Sequence, residues 1–130
     1  MIGLMLISHG ELGKYLLDSA AMLAGEAEQC KAVCLQRGEN PQLFKERVTK
    51  VLDEIDTGEG VIVLVDMLGG TPYNTIGSLS RDRNVQIITG MNMPFLIYLT
   101  LEREDGCNMS ELVDNASHTG IDGIKVLRRR

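Results

Sequence analysis

The sequence predicts a single doubly wound α/β domain, with a mainly parallel sheet and helices on both faces. Residues 61–65 are five consecutive β-formers with no polar face, which is typical of a central parallel strand covered on both sides. Short apolar runs also alternate along the chain with segments of helical periodicity, without repeats or Pro/Ser-rich linkers. We therefore expect residues 1–130 to form one domain, and a chain of this length can close one core.

The first strand and the first helix are predicted at residues 2–7 and 11–23. The strand is a continuous apolar run, too short for a helix, and Ser8-His9-Gly10 ends it. The helix has apolar residues at helical spacing along one side, as an amphipathic helix does. That side is formed by Leu12, Tyr15, Leu16, Ser19, Met22 and Leu23.

The remaining elements continue the alternation of strand and helix. A weaker strand is predicted at residues 31–35, and Asn40-Pro41 opens the next helix in the expected order of cap and then proline. That helix is predicted to end near Ile55. The further strands are predicted at residues 61–65, 85–89 and, as a short last one, 124–126. The further helices are predicted to run to about Leu79, from Met93 to about Arg103, and from 110 to near Gly120.

Composition and charge narrow the possible functions. The net charge is −5, so a nucleic-acid partner is not expected, because its phosphates require a basic face. No segment approaches the ~20 apolar residues of a membrane helix, and the opening lacks the features of a signal peptide. We expect a cytoplasmic protein that reaches the membrane only through partner subunits.

Three cysteines suit a reducing compartment, and Cys30 and Cys34 lie about 13 Å apart along a strand, too far for a disulfide.

His9 and Asp66 are the candidate catalytic pair. In an open parallel sheet, ligands bind beyond the carboxyl ends of the strands, where the winding reverses. In the order 2-1-3-4, strands 1 and 3 are neighbours at that point. His9 follows the apolar run of strand 1, and Asp66 follows strand 3. The winding therefore predicts an imidazole beside a carboxylate. Such a carboxylate would bind one ring nitrogen and leave the other free as a nucleophile.

The loop after Asp66 predicts a phosphate-binding site. Glycine at positions 69 and 70 lets backbone N–H groups approach a ligand closely. Thr71 suits the N-cap of a helix, and Pro72 suits its first turn. The open amides and the dipole at a helix start attract anions. We therefore predict a phosphate-binding loop at residues 69–72, beside His9.

Other chemistries lack their motifs in this chain. There is no G-x-x-x-x-G-K-[ST] run for a nucleotide and no G-x-G-x-x-G run after strand 1. No His-x-x-x-His pair or carboxylate cluster offers a metal site, so we expect no metal and no other cofactor. Ser8 and His9 do not form a triad, because neighbouring residues at a strand end point different ways. His118 lacks an acidic partner and is interpreted as a surface or core residue.

A docking surface is predicted in the loops that flank the site. Apolar residues around a reactive group favour contact with a partner protein. The candidate docking residues are Met67, Leu68, Met91, Asn92 and Met93.

These features together resemble the IIA domain of the mannose-family (mannose/fructose/sorbose) phosphoenolpyruvate-dependent sugar phosphotransferase system. The resemblance covers nearly the whole chain. It rests on the strand that ends in Ser8-His9-Gly10, on the block Val-Asp-Met-Leu-Gly-Gly-Thr-Pro-Tyr-Asn at residues 65–74, and on Gly-Met-Asn-Met-Pro at residues 90–94. The middle block is the specific one.

The resemblance implies a phosphocarrier. In that family the histidine matched by His9 takes phosphate from phospho-HPr and hands it to a IIB component, with IIC and IID membrane components as indirect partners. Asp66 would orient the ring, and Gly70 and Thr71 would contact the phosphoryl group. A homodimer and an antiparallel C-terminal edge strand at residues 124–127, exchanged between protomers in some members, are also implied. Because the chain ends soon after that strand, we expect a separate IIB protein.

Other functions stay open at this point. Related domains serve as phosphocarrier subunits of a phosphoenolpyruvate-dependent dihydroxyacetone kinase, and their motifs overlap with these. A receiver-type signalling module shares the fold and would be phosphorylated on Asp66. Receivers also need acidic residues after strand 1 to hold magnesium, and this chain has Ser8 and His9 there. The fold alone also allows a nucleotide- or flavin-binding module.

Overall fold

A computed structural model describes residues 1–129, and these residues contain four strands and five helices. The strands are β1 (Gly3–His9), β2 (Cys30–Leu35), β3 (Val61–Val65) and β4 (Val85–Thr89). The helices are α1 (Leu12–Ala24), α2 (Pro41–Ile55), α3 (Gly70–Leu79), α4 (Met93–Glu102) and α5 (Met109–Asp122). Across this part of the chain, every helix falls short of the length and apolar character that a membrane crossing requires.

The four strands form one parallel sheet in the order β2-β1-β3-β4. This confirms the predicted doubly wound fold and its strand order. β1 and β3 are neighbours, with Gly3 opposite Val61 and Ile7 opposite Val65. The residues that follow these two strands therefore emerge side by side at the carboxyl edge of the sheet, where a doubly wound fold binds its ligand.

Side chains of β1 alternate between two cores on opposite faces of the sheet. Leu4 and Leu6 pack in the core formed with α1, α4 and α5. Met5 and Ile7 pack in the core formed with α2 and α3. Because alternation along a strand has a period of two, Ser8 continues the α1 side and His9 continues the α3 side.

Helix α1 faces the sheet with small residues rather than with its predicted apolar side. Gly13 and Ala20 are buried in it. A Cβ atom on Gly13 would come within 3.4 Å of the Cβ of Leu6, so the helix lies close to the sheet at that point. The apolar side predicted from the sequence is mostly exposed. Its exposed members are Leu12, Tyr15, Ser19, Met22 and Leu23, whereas Leu16 is half-buried.

The predicted C-terminal edge strand does not form within residues 1–129 of this chain. Helix α5 continues to Asp122, and the N–H of Ile124 donates to the carbonyl of Ile121, which extends the helix end. Ile124 and the residues that follow it to 129 form no strand, and no described strand pairs with the outer edge of β4. A β-strand needs a neighbouring backbone for its hydrogen bonds, and within residues 1–129 this segment has none.

Candidate functional site

His9 and Asp66 meet at the carboxyl edge of the sheet, as the winding predicts. His9 is the last residue of β1, and Asp66 directly follows β3. The ring Nδ1 of His9 lies 2.8 Å from Oδ2 of Asp66. The backbone N–H of His9 donates to the same oxygen at 2.9 Å, and the N–H of Met67 donates to Oδ1 at 2.9 Å. Both carboxylate oxygens are therefore engaged.

This contact determines which ring nitrogen is available for chemistry. Because an ionised carboxylate can only accept hydrogen bonds, the contact favours the tautomer of neutral His9 that carries its proton on Nδ1 and keeps the lone pair on Nε2. The side chain of His9 is 46% exposed, whereas that of Asp66 is 10% exposed. The imidazole of His9 is thus partly open to solvent, while the carboxylate that contacts it is sheltered.

Gly70 lies against the free edge of the imidazole. A Cβ atom built on Gly70 would lie 3.0 Å from Cε1 and 3.1 Å from Nε2 of His9. The φ angle of Gly70 is +85°, which side chains other than glycine rarely adopt. Close approach and backbone conformation both favour glycine here. The free edge of the ring therefore faces the first residue of α3.

Helix α3 begins two residues earlier than its sequence indicates. Its N-cap is Gly69, with φ +82°, rather than Thr71, which is the second residue of the helix. The cap-like pair Thr71-Pro72 is overridden because two glycines in left-handed conformations let the chain turn into the helix sooner. The predicted N-cap role of Thr71 is therefore wrong, although Thr71 remains in the first turn.

The start of α3 has no side-chain cap, unlike three other helix starts. Asn40, Asn92 and Asn108 each accept a hydrogen bond from a first-turn amide of α2, α4 and α5. Gly69 has no side chain with which to do so. The first-turn amides of α3 are thus available to an external anion, and the helix dipole adds to the attraction.

The loop after β2 is held in place next to His9 by an ion pair. Arg47 donates to both carboxylate oxygens of Glu39 at 2.9 Å and to the carbonyl of Cys34 at 2.6 Å. The guanidinium group holds the pKa of Glu39 below its ordinary value. The N–H of Gly10 donates to the carbonyl of Leu35 at 2.8 Å, so the loop and the His9 turn are joined.

The predicted docking residues divide into two groups. Met67 and Leu68 are exposed in the loop between β3 and α3. Met91 and Met93 are half-buried and pack against the core. Asn92 caps α4 and donates to the carbonyl of Gly120 at 3.1 Å. The exposed apolar surface next to His9 therefore includes the first pair.

Sequence reasoning missed Leu12 and Tyr15 as candidate surface residues. Both are exposed in the first turns of α1, which begins three residues after His9. The helical periodicity identified their apolar side but not its exposure. His118, the other histidine, is exposed on α5. Nowhere in residues 1–129 do three or more His, Cys, Asp or Glu side chains gather as a possible metal site.

Comparison with known proteins identifies the family. The EIIA-man family model, described as PTS system fructose IIA component, matches residues 3–117. The chain belongs to this family. The predicted membership of the mannose-family IIA domains is thus confirmed.

Two curated relatives are described as PTS system components. The chain is 34% identical over 130 residues to the PTS system mannose-specific EIIAB component of Escherichia coli K12, covering 99% of this chain and 40% of that protein. It is 33% identical over 105 residues to the PTS system fructose-specific EIIA component of Bacillus subtilis, covering 80% of this chain and 72% of the relative. The chain thus spans about two fifths of the length of the E. coli protein.

A solved EIIA structure has the same fold. The phosphotransferase system component EIIA from Streptococcus agalactiae superposes with a TM-score of 0.88 at 25% sequence identity. The match covers 97% of each chain. The parallel sheet that brings His9 and Asp66 together is therefore the architecture of a solved EIIA component.

Proposed function

We propose that the chain accepts a phosphoryl group on Nε2 of His9 from phospho-HPr and passes it to a IIB component. The observation that supports this most directly is the contact of 2.8 Å between Nδ1 of His9 and Oδ2 of Asp66. It leaves Nε2 as the nucleophile, and the same edge of the ring lies against Gly70 at the uncapped start of α3.

The transfer step is a displacement at phosphorus. The lone pair of Nε2 forms the new N–P bond while the bond between phosphorus and the donor atom breaks, and its electron pair leaves with the donor. The proton on Nδ1 stays between His9 and Asp66, so the positive charge that develops on the ring is stabilised by the carboxylate. In a second displacement the IIB component is the nucleophile. Its new bond to phosphorus forms while the N–P bond breaks, and the electron pair returns to Nε2.

Gly70 and Thr71 bind the phosphoryl oxygens in this proposal. Both lie in the first turn of α3, whose amides have no side-chain cap. A phosphoryl group on Nε2 would bring negative charge to the positive end of the helix dipole. Because Gly70 has no Cβ, the anion can approach the backbone closely. In this proposal the backbone amides at the start of α3 stabilise the negative charge of the phosphoryl group without a lysine or arginine side chain.

Asp66 is an orienting residue in this proposal and not a phosphoryl acceptor. Its Oδ2 accepts from the backbone and the ring of His9, and its Oδ1 accepts from the N–H of Met67. A receiver aspartate needs a free oxygen to attack phosphorus, and here attack would break at least one of these bonds. The geometry therefore favours the histidine carrier over the receiver-type function.

The partners dock on the exposed apolar surface around His9. The exposed apolar residues near His9 in sequence and fold are Met67 and Leu68, directly after Asp66, and Leu12 and Tyr15, at the start of α1. Large side chains with flexible or aromatic character are common at protein interfaces. The carrier would be cytoplasmic, a single domain over residues 1–130 and a homodimer, and it would reach the IIC and IID membrane components only through IIB.

The decisive experiment measures intact mass after incubation with phosphoenolpyruvate, enzyme I and HPr. We expect a gain of one phosphoryl group that is lost in brief mild acid, because phosphohistidine is acid-labile. His9→Ala should show no gain, and His118→Ala, which changes the other exposed histidine, should label fully. Full labelling of folded His9→Ala, or no labelling of the unmodified chain by active HPr, would refute the proposal.

A further inference from the structure

Ser8 is a fully buried polar residue that neighbours His9 but faces the opposite side of the sheet. Its Oγ accepts a hydrogen bond from the N–H of Gly13 at 2.9 Å. The same hydroxyl donates to the carbonyl of Gly10 at 2.9 Å. One side chain thus joins the end of β1, the turn that follows it and the first turn of α1.

Helix α1 depends on this hydroxyl for its start. Its N-cap residue, Glu11, makes no side-chain cap hydrogen bond. Ser8 satisfies a first-turn amide instead, from the strand before the turn. A Cβ atom on Gly13 would lie 3.2 Å from Oγ, so little space separates the helix from the hydroxyl. The hydroxyl is therefore held in one position by its surroundings.

The two residues that flank His9 are consequently both anchored. Ser8 is anchored by its hydroxyl, and Gly10 is anchored through its carbonyl to Ser8 and through its N–H to the carbonyl of Leu35 at 2.8 Å. His9 itself is anchored to Asp66 on the other face. Without the Ser8 hydroxyl, the carbonyl of Gly10 and the N–H of Gly13 would lose a partner, and the turn could rotate.

We propose that Ser8 is a positioning residue, whose hydroxyl holds the turn at His9 so that Nδ1 meets Asp66 and Nε2 faces Gly70. The inference rests on the proposed function, because it assigns Ser8 a part in presenting the His9 nucleophile. Reacting groups must be held within a fraction of an ångström, and a displacement of about 1 Å can slow a reaction by about 100-fold. Ser8 acts only through His9 and does not touch the phosphoryl group.

The test compares Ser8→Ala with two matched variants. Ser8→Thr keeps the hydroxyl. Cys34→Ala removes a buried side chain that is paired opposite Ser8 in the sheet, with its Sγ 3.9 Å from Oγ, and leaves the turn unchanged. Each protein is assayed for thermal unfolding, for the rate of labelling by phospho-HPr and for the ¹⁵N chemical shifts of the His9 ring, which report the protonated nitrogen.

We expect Ser8→Ala to label about tenfold more slowly and to shift the His9 ring nitrogens toward the averaged values of a free imidazole. Ser8→Thr should restore both readouts, and Cys34→Ala should lower the unfolding temperature without changing either. Wild-type ¹⁵N shifts or a wild-type rate in Ser8→Ala would overturn the proposal. A folded Ser8→Thr protein as slow as Ser8→Ala would also count against it.

Two further outcomes can be told apart: a Ser8→Ala protein that does not fold, and an unmodified chain that does not label. If Ser8→Ala does not fold, Gly13→Ala is the second variant, because its methyl group would lie 3.2 Å from the Ser8 hydroxyl and press it out of position, while alanine favours the helix. Slower labelling with a shifted His9 ring would support the proposal, and unchanged values would refute it. If the unmodified chain does not label at all, the proposed function fails, but the ring shifts still test whether Ser8 positions His9.

Discussion

One oxygen atom of Asp66 holds both the backbone and the ring of His9. Oδ2 accepts from the N–H of His9 at 2.9 Å and from its Nδ1 at 2.8 Å. The other oxygen accepts from the N–H of Met67 at 2.9 Å. Because one atom binds the residue at two points, the imidazole cannot turn about its χ angles without losing a charge-assisted hydrogen bond. The ring is oriented before any partner arrives.

Asp66→Asn should slow phosphoryl transfer on the order of 100-fold while leaving His9 able to accept phosphate. The amide has one oxygen in place of two, so either His9 or Met67 would face an N–H group. Pre-steady-state labelling by phospho-HPr, in both directions, measures the effect. Unchanged rates in a folded protein would remove Asp66 from the mechanism.

Asp56→Asn is the matched control for Asp66→Asn. Oδ1 of Asp56 accepts from the N–H groups of Gly58 and Gly60 at 2.9 and 3.0 Å, in the loop before β3 at the opposite edge of the sheet. An amide oxygen at this position can still accept both hydrogen bonds, so the same chemical change should leave the fold largely intact and should not slow transfer. A comparable loss of rate in both variants would indicate a general effect on folding.

Gly70→Ala should impair transfer more than Gly69→Ala does. Both glycines have positive φ angles, +85° and +82°, so alanine costs about 1–2 kcal/mol of stability at either position. Only at position 70 would the new Cβ meet the His9 ring, at 3.0–3.1 Å, since nothing lies within 4 Å at position 69. Urea unfolding and labelling rates separate the two effects. Equal rates in the two variants would contradict the close approach.

Leu68→Ser should raise the KM for phospho-HPr by about tenfold and leave kcat unchanged, because it removes apolar area from the docking surface and no group from the chemistry. Leu23→Ser is the control, since Leu23 is exposed to a similar degree, 72% against 68%, at the far end of α1. Steady-state transfer with HPr as the varied substrate provides the measurement. An equal rise in KM for both variants would place docking elsewhere.

Glu39→Gln should remove a pH-dependent part of the stability. Arg47 lowers the pKa of Glu39 in the folded state, so this contribution is present above the ordinary value of 4.5 and is lost as the pH falls through the lower folded value. The pair is partly exposed, so we expect a loss of at most about 1 kcal/mol at pH 7 and almost none at pH 3. Urea unfolding at both pH values tests this. An equal loss of unfolding free energy at both pH values would contradict a contribution from the ion pair.

The strand order and the meeting of His9 with Asp66 could be predicted from the sequence. Both follow from backbone winding, because alternation of strands and helices allows few topologies and the carboxyl ends of neighbouring parallel strands share one edge. The roles of these residues stay predictions until the labelling experiments are made. Family membership needed no geometry, since the specific residues lie in one continuous block around Asp66.

The buried side of α1 could not be predicted. Periodicity identifies an apolar side of a helix, but it does not say whether the sheet or a partner protein covers it. Here Gly13 and Ala20 face the sheet because small residues permit close packing, and Leu12 and Tyr15 face outward. The hydrogen bond between Ser8 and Gly13 could not be predicted either, because it depends on how closely α1 approaches β1.

The start of α3 and the C-terminal segment show two other limits. Thr71-Pro72 fits the preference for a helix start, but the left-handed conformations of Gly69 and Gly70 were not visible in that pattern. The alternation of residues 124–126 fits a strand, but a strand also needs a neighbouring backbone, and periodicity says nothing about that. Both errors arise where local preference gives way to tertiary context.

The alternation of β1 between two cores links activity to folding cooperativity. Ser8 belongs to the layer of α1, α4 and α5, and His9 belongs to the layer of α2 and α3, although the residues are adjacent. On the proposed function, local opening of either helix layer should therefore slow phosphoryl acceptance before the whole domain unfolds. The labelling rate, followed through a denaturant titration, thus reports the less stable layer, whereas a global spectroscopic signal reports the average of both.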